Sequence, residues 1–168
     1  YYGHSCFLIE SGGKKFLFDP FITGNPLALS INVDTIEADY IFVSHAHNNH
    51  VADLGRIAKR TGATVIATYE VIAWAEDCTR FHAMNYGVSF FDFGTVRMVP
   101  AAHSSTLPDG SNGGSACGFV ITLPEGSFYY SGDTGLNLDM QLIPKYYAKL
   151  DFAVLPIGGN FTMNTDGA

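Results

Sequence analysis

The chain has 168 residues and 47% hydrophobic content, which suits one domain with a sizeable core. Its formal net charge of -7 disfavours broad nucleic-acid binding, because an acidic surface repels phosphate backbones. No apolar run approaches the roughly 18 residues of a membrane-spanning helix, so we expect no membrane partner. Cys6, Cys78 and Cys117 lack a CxxC spacing, which favours reduced thiols and a cytoplasmic location.

The first half of the chain is predicted to alternate strands and helices. The apolar runs "CFLIE" and "KKFLFDP" flank "SGG" and predict a β-hairpin. "DYIFVSH" predicts a short buried strand, and "NHVADLGRIAKRTG" predicts a helix that stops at Gly62. "ATVIAT" predicts another strand, and "YEVIAWAEDC" a second helix. This alternation is typical of a partly parallel sheet.

The second half is predicted to be richer in strands. Strands are expected at "VSFFDFG", "TVRMVPAAH", "CGFVITLP" and "SFYYSGD", then a short helix near 137–148 and a strand at "DFAVLPIG". The segment 104–115 is rich in Gly, Ser and Asn, so it predicts a flexible loop that could border a functional site. Together, the two halves predict a single α/β domain over residues 1–168, with two sheets and outer helices.

The segment "SHAHNNH" places three histidines directly after a predicted buried strand. His45 and His47 are separated by one residue in a tight loop, so both imidazoles can converge on one cation at about 2.1 Å. His50 follows at the start of a helix and could hold a second cation. Solvated loop histidines are the alternative, and the clustering of three potential ligands behind one strand favours metal binding.

Two further candidate ligands end other predicted strands. His103 ends "VRMVPAAH", and Asp133 lies in "SGDTG", where glycines on both sides allow the backbone to bend sharply. Each residue alone would more often be a turn residue. Together with the histidine cluster, His103 supplies a third nitrogen ligand, and the Asp133 carboxylate could bridge two cations about 3.5 to 4 Å apart.

These motifs resemble the metallo-β-lactamase superfamily, whose signature is His-x-His-x-Asp-His. "HAHNNH", the later histidine and "SGDTG" carry this resemblance, which covers nearly the whole chain. "YYGHSCFLIE", "FDPFITGNPLA", "GDTGL" and "PIGGNFTMN" resemble its small metal-dependent hydrolases, near the ascorbate-6-phosphate lactonase group. The resemblance implies a metallo-β-lactamase-like αβ/βα four-layer sandwich with one or two divalent ions, zinc or alternatively manganese or iron.

The resemblance also implies a role for each matching ligand. His45, His47 and His103 match the three histidines of the first metal site. His50 matches a ligand of the second metal, and Asp133 matches the carboxylate that bridges the two.

Two other positions match residues that lie near the metals of the family. Asp19, in "FLFDPF", matches a buried aspartate that supports the histidine loop by hydrogen bonds, and the alternative is a turn residue before Pro20. His4, in "YGHSC", could face the substrate, and the alternative is a structural histidine. His82, in "FHAMN", is interpreted as a loop or packing residue.

Asn49 departs from the signature, because the family has aspartate at this catalytic position. An amide keeps the shape of the carboxylate but loses its charge, so Asn49 is a weak metal ligand that cannot accept a proton from water. Family members also continue to a last histidine, whereas no histidine follows His103 here. Because the first residue is Tyr1, we expect a chain that is trimmed at the N-terminus and truncated at the C-terminus.

The sequence therefore predicts a metal-dependent hydrolase that uses a metal-activated water on a small polar or phosphorylated metabolite, of lactone or phosphodiester type. A metallo-nuclease on the same fold is one alternative, and the absence of a basic stripe counts against it. A metal-binding protein with turnover impaired by Asn49 and the missing last histidine is another. We expect a small-molecule substrate as partner, with no nucleic acid, and an oligomer is compatible with the sequence.

Overall fold

A computed structural model describes residues 1–168, and the chain divides into two compact units. Unit 1 comprises residues 1–85 and 105–114, and unit 2 comprises residues 86–104 and 115–168. Each unit contains one five-stranded mixed sheet, and helices accompany the sheets, which confirms the predicted α/β class. None of these helices has the length and apolar character needed to cross a lipid bilayer.

The sheet of unit 1 has the strand order β1-β2-β3-β4-β5. Its strands are β1 (Phe7–Ser11), β2 (Lys14–Phe18), β3 (Tyr40–Phe42), β4 (Thr64–Ala67) and β5 (Phe81–Ala83). β1 and β2 form the predicted antiparallel hairpin, and β2 to β5 run parallel. Because parallel strands end at the same edge of a sheet, Asp19, His45 and Thr68 follow their strands at one edge of unit 1.

The helix predicted after β3 is split into two helices, and a short 3-10 helix precedes β3. The helices of unit 1 are α1 (Asn48–Val51), α2 (Leu54–Thr61), α3 (Tyr69–Trp74) and the 3-10 helix Val33–Thr35. The break falls at Asp53, whose backbone N–H donates to Pro20 O at 3.0 Å instead of continuing the helical ladder. α2 ends at Gly62 as predicted, with a φ of 69° that favours glycine.

The apolar stripe of α2 explains how the helix attaches to its sheet. Leu54 and Ile57 are fully buried and belong to the same core cluster as Ile41 and Val65 of β3 and β4. Burial of each such side chain contributes about 1.5–3 kcal/mol. This packing fixes the end of β3, and therefore the turn that carries the histidine cluster, against the rest of unit 1.

Strand β5 was not predicted, and because His82 lies in it, the loop alternative of the interpretation of His82 as a loop or packing residue was wrong. His82 lies at the centre of β5 and pairs in register with Ile66 of β4. The strand has only three residues, and both flanking side chains are exposed, so its sequence lacks the apolar alternation that predicts a strand.

The sheet of unit 2 has the strand order β10-β9-β8-β7-β6. Its strands are β6 (Val88–Phe91), β7 (Gly94–Pro100), β8 (Cys117–Leu123), β9 (Gly126–Tyr130) and β10 (Phe152–Val154). β6 to β9 pair antiparallel, and β10 pairs parallel to β9. β7 and β9 both run opposite to β8, so their carboxyl ends share one edge, where His103 and Asp133 follow.

The helix predicted near 137–148 is instead a 3-10 helix, Leu138–Gln141, followed by a π-helix, Ile143–Tyr147. Pro144 lies at the start of the second segment, where its ring removes a backbone donor and prevents a continuous α-helical ladder. Ile143 is buried in a core cluster with Val99 of β7 and Tyr129 of β9, which attaches this segment to the sheet.

Candidate metal centre

The Asp19 carboxylate joins the end of β2 to the turn that follows β3. Asp19 is fully buried and has a φ of 43°, an uncommon conformation outside glycine. Its Oδ1 accepts a hydrogen bond from the Ser44 backbone N–H at 2.7 Å, and its Oδ2 accepts one from Ser44 Oγ at 2.6 Å. Hydrogen bonds to a charged acceptor contribute about 1.5–3 kcal/mol each, so this carboxylate fixes the backbone immediately before His45.

His50 receives its orientation from the same carboxylate. Its ring is fully buried, and its Nδ1 lies 2.7 Å from Asp19 Oδ2. An ionised Asp19 can only accept, so the His50 proton resides on Nδ1 and the lone pair on Nε2. An imidazole that donates one ring N–H to a carboxylate is the arrangement typical of a metal-binding histidine.

His45 and His47 converge on one another. His45 Nε2 lies 2.9 Å from His47 Nδ1, and Ser44 Oγ lies 3.0 Å from His45 Nδ1. Two nitrogen ligands of a tetrahedral zinc ion, each at about 2.0–2.1 Å from the metal, lie about 3.3 Å apart. The observed spacing is within a few tenths of an ångström of that value, so small adjustments would let the two rings share one cation.

The donor set of unit 1 fits a divalent transition metal. The ligand atoms of Asp19, His45 and His50 lie within 4.8 Å of one another, and all three residues are buried. Imidazole nitrogens and a carboxylate are ligands that zinc, iron and manganese accept. Hydrogen bonds with Ser44 and Asp19 hold the His45 and His50 imidazoles in place.

Asn49 and His4 lie together beside this cluster. Asn49 Nδ2 lies 3.0 Å from His4 Nε2, so the amide donates to the imidazole in this arrangement. The exposed His4 has a φ of 54° and directly follows Gly3, whose φ is 102°. Its ring contacts His50 edge-on at a centroid distance of 5.0 Å. The N-terminal turn therefore brings the predicted substrate-facing histidine next to the residue at the aspartate position.

Unit 2 brings together the other two predicted ligands. His103 Nε2 lies 3.9 Å from Asp133 Oδ2, and the two side chains are 10% and 15% exposed. The Phe161 carbonyl oxygen lies 3.1 Å from His103 Nδ1, so it accepts that proton and leaves the lone pair on Nε2. The Thr134 hydroxyl accepts from Ala102 N–H at 2.9 Å, which ties the strand end before His103 to the loop that contains Asp133.

The predicted site residues thus come from both units. Unit 1 groups Asp19 with His45, His47 and His50, and places His4 and Asn49 beside them. Unit 2 pairs His103 with Asp133. The assignment of each residue to a first or a second metal, and the bridging role of Asp133, stay predictions.

Two buried polar residues near the cluster were missed by the sequence analysis. Ser44 contacts both Asp19 and His45, and its position between a buried strand and the first histidine is the signal that could have identified it. Asp53 accepts from Ile22 N–H and Thr23 N–H, both at 2.7 Å, and so holds the loop after β2. Its sequence context, inside an amphipathic helical pattern, gave no such signal.

The Cys6 thiol lies within the electrostatic reach of the Asp19 carboxylate. None of the three cysteines forms a disulfide, as the sequence predicted, and all three are buried. Burial raises the pKa of the Cys6 thiol to about 12, and the nearby Asp19 carboxylate adds to this effect. In the metal-free protein, Cys6 therefore stays protonated at neutral pH.

Comparison with known proteins identifies the architecture. A family model described as a beta-lactamase superfamily domain matches residues 1–168. A UPF0173 metal-dependent hydrolase of Methylacidiphilum infernorum is 49% identical over 171 residues, which cover 100% of this chain and 75% of the relative. A UPF0173 metal-dependent hydrolase of Pyrococcus furiosus is 45% identical over 165 residues, which cover 96% of this chain and 72% of the relative.

A solved structure shows the same fold. Igni18, a metallo hydrolase from the archaeon Ignicoccus hospitalis, superimposes with a TM-score of 0.84 at 32% identity. The match covers 99% of this chain and 73% of Igni18. These likenesses confirm the predicted metallo-β-lactamase fold class and the resemblance to its small metal-dependent hydrolases.

Proposed function

Because this chain belongs to the beta-lactamase superfamily, among its metal-dependent hydrolases, we propose that it cleaves a small polar or phosphorylated metabolite, of lactone or phosphodiester type. The observation that carries the proposal is the convergence of His45 Nε2 and His47 Nδ1 at 2.9 Å, beside the buried Asp19 and His50 pair. Such oriented imidazoles support binding of a divalent cation, for which zinc is our first candidate and manganese or iron the alternatives.

The roles of the residues follow from their contacts. A divalent cation, when bound, supplies Lewis acidity and lowers the pKa of a coordinated water toward about 7. His45 and His47 bind that cation together with the predicted third ligand His103, while Asp19 orients the turn that carries them. His50 and Asp133 serve a second cation in this proposal.

Asn49 and His4 act on the substrate side in this proposal. Asn49 occupies the position of the family's aspartate, where its amide can donate or accept a hydrogen bond but cannot accept a proton. His4, which Asn49 contacts, is exposed and could contact a polar group of the substrate. Because neutral groups replace the usual acid here, a slow hydrolase, or a metal-binding protein with impaired turnover, is the second candidate function.

One paired experiment tests both candidates. The protein would be purified, its zinc, iron and manganese counted by plasma emission, and its activity screened on lactones and phosphodiesters with a chelated sample as control. Chelator-sensitive hydrolysis supports the hydrolase proposal and identifies the substrate type. Bound metal without hydrolysis of either class favours the metal-binding alternative, and absence of bound metal contradicts both.

A further inference from the structure

The 105–114 loop leaves one sheet to join the other unit of the chain. β7 and β8, which precede and follow it, both belong to unit 2, whereas residues 105–114 belong to unit 1. The sequence predicted a flexible loop here, yet backbone hydrogen bonds close it on itself, including Leu107 N–H to Ser111 O at 2.9 Å and Gly113 N–H to Ser105 O at 2.9 Å. The segment therefore has a defined shape that can carry specific contacts.

Those contacts fall on Ala46, the residue between the two converging histidines. The Ala46 backbone N–H donates to Ser105 Oγ at 3.2 Å, and Ser105 Oγ donates to Gly113 O at 3.1 Å. The Thr68 hydroxyl, at the end of β4, donates to the same Gly113 carbonyl at 3.1 Å. The Ser105 hydroxyl thus connects the histidine turn to a loop that is itself attached to the sheet edge.

Gly113 makes the close approach of this loop to the turn achievable. A Cβ at Gly113 would overlap the Cβ of Ala46 and would lie 2.8 Å from Ser105 Oγ. Ala46 is fully buried, so the turn has no open space into which it could retreat. The absence of a side chain at Gly113 is therefore a steric requirement of the position of Ala46.

We propose that Ser105 and Gly113 are positioning residues that hold the His45–Ala46–His47 turn in the conformation that points both imidazoles at one cation. The backbone angles of Ala46 set the relative direction of the two rings, and Ser105 fixes the N–H of that residue. The inference rests on the proposed function, because it assigns the loop a role in metal binding rather than in folding alone. Its effect is exerted through His45 and His47, without direct contact with the metal.

The variants Ser105→Ala, Ser105→Thr and Gly113→Ala separate positioning from general loop stability. Ser105→Ala removes the hydroxyl, Ser105→Thr retains it, and Gly113→Ala pushes on Ala46. Gly110→Ala is the matched control, because Gly110 lies in the same loop with a φ of 87° but with no atom within 4 Å of its would-be Cβ. It introduces backbone strain into the loop without pressing on the turn.

The first measurements are the zinc dissociation constant by chelator competition and the visible absorption of the cobalt-substituted protein, whose ligand-field bands report coordination geometry. We expect Ser105→Ala to bind zinc about 10- to 100-fold more weakly, as loss of an outer partner of a ligand commonly does, with altered cobalt bands. Gly113→Ala should weaken binding at least as much, while Ser105→Thr and Gly110→Ala should remain near the wild-type values. Wild-type affinity and unchanged cobalt bands in both Ser105→Ala and Gly113→Ala would overturn the inference.

A metal-free readout keeps this test separate from that of the proposed function. The imidazole signals of His45 and His47 would be followed by NMR in chelator-treated protein, with His82 as an internal reference remote in sequence. If the wild-type protein binds no metal, the proposed function fails, and these signals still decide the positioning role. A shift of both signals in Ser105→Ala, with His82 unchanged, supports it, and unchanged signals in folded Ser105→Ala contradict it.

Discussion

Asp19 Oδ2 lies 2.7 Å from His50 Nδ1, and neither side chain is exposed to solvent. A carboxylate removed from water is costly unless its oxygens are satisfied, and here Ser44 supplies two further hydrogen bonds. The arrangement therefore forms a buried network that connects the ends of β2 and β3 to α1. Since His50 and the neighbouring His45 both depend on it for orientation, the network controls how the imidazoles are presented.

Asp19→Asn should weaken metal binding while leaving the chain folded. The amide keeps the shape of the carboxylate and tolerates the φ of 43°, but its one oxygen cannot replace both carboxylate oxygens, which together accept three hydrogen bonds from Ser44 and His50. We expect the zinc dissociation constant to be about 10- to 100-fold larger, which is the effect seen when an outer partner of a metal ligand is lost. Competition with a chromophoric chelator measures it.

Asp53→Asn is the matched control for this change. Asp53 is also a buried carboxylate with hydrogen bonds to backbone and hydroxyl donors, including Ile22 N–H and Thr23 Oγ1. Its contacts hold the loop after β2 and involve no histidine. Asp53→Asn should lower the free energy of unfolding yet retain the affinity for metal. Equal losses of metal affinity in Asp19→Asn and Asp53→Asn would show that Asp19 has no specific role.

His47→Ala should remove the metal that His45 and His47 are proposed to bind. Two neutral ligands hold zinc poorly. The loss of zinc affinity should therefore exceed the roughly 10- to 100-fold effect of removing an outer partner of a metal ligand. His47 is only partly buried, which limits the cost to folding. Metal content by plasma emission is the measurement, with His82→Ala as the control, because β5 lies away from the predicted ligands in sequence. Full occupancy in His47→Ala would be incompatible with the assignment.

Much of the fold could be predicted because its signals are local. The hairpin of β1 and β2 follows from two apolar runs around a glycine turn, and the stop of α2 follows from Gly62. The candidate ligands stand out in the sequence because they are polar residues that follow predicted strands. His45 and Asp133 are both of this kind.

The features that the sequence did not reveal depend on long-range contacts. The break between α1 and α2 arises where Asp53 bonds to the loop after β2, about thirty residues earlier in the chain. The contact of Ser105 with Ala46 spans 59 residues, and nothing in "SSTLPDGSNGGS" indicates it. Composition predicted flexibility for that loop, whereas the partners that order it lie in distant segments.

Asp133→Ala should lower metal content and activity with little effect on folding. Asp133 lies in the loop after β9 and is 15% exposed, so its side chain contributes little to core packing. If it bridges two cations, its loss removes one negative charge and two donor oxygens from the site. Metal counting and thermal unfolding of the chelated protein measure the two effects, with the exposed Asp139→Ala as a control in the same unit. A variant that unfolds without any loss of metal affinity would instead indicate a structural turn residue.

The buried Cys6 thiol should make the protein less stable at alkaline pH. Burial raises its pKa from 9.0 to about 12, so the folded state keeps this proton in a range where the unfolded state releases it. Between these two values the unfolded chain binds fewer protons, and the free energy of unfolding falls by up to about 1.4 kcal/mol per pH unit. Urea unfolding measures this effect. From pH 8 to pH 10.5, the free energy of unfolding should fall by about 2 kcal/mol less in Cys6→Ala than in wild type. Identical losses in the two proteins would rule out this origin of alkaline sensitivity.

Asn49→Asp should strengthen the binding of a second cation. In the structure, the Asn49 amide nitrogen lies 3.0 Å from His4 Nε2, and an aspartate there could accept from the same imidazole while adding a negative charge. At an effective dielectric constant of 20, two unit charges about 4 Å apart attract by about 4 kcal/mol, and a unit charge attracts a divalent cation by about twice as much, before the cost of desolvation is subtracted. We therefore expect a higher metal count per chain, or at least about tenfold tighter binding of the weaker metal, and faster hydrolysis of any substrate found.

Isothermal titration measures the metal count and affinity of Asn49→Asp, and turnover at fixed metal concentration measures its rate of hydrolysis. Asn48→Asp, an equal charge change at the exposed neighbouring position, controls for general electrostatics. If stoichiometry, affinity and rate are the same in Asn49→Asp and Asn48→Asp as in wild type, Asn49 lies outside the metal centre, and "HAHNNH" is not a two-metal motif with one altered ligand.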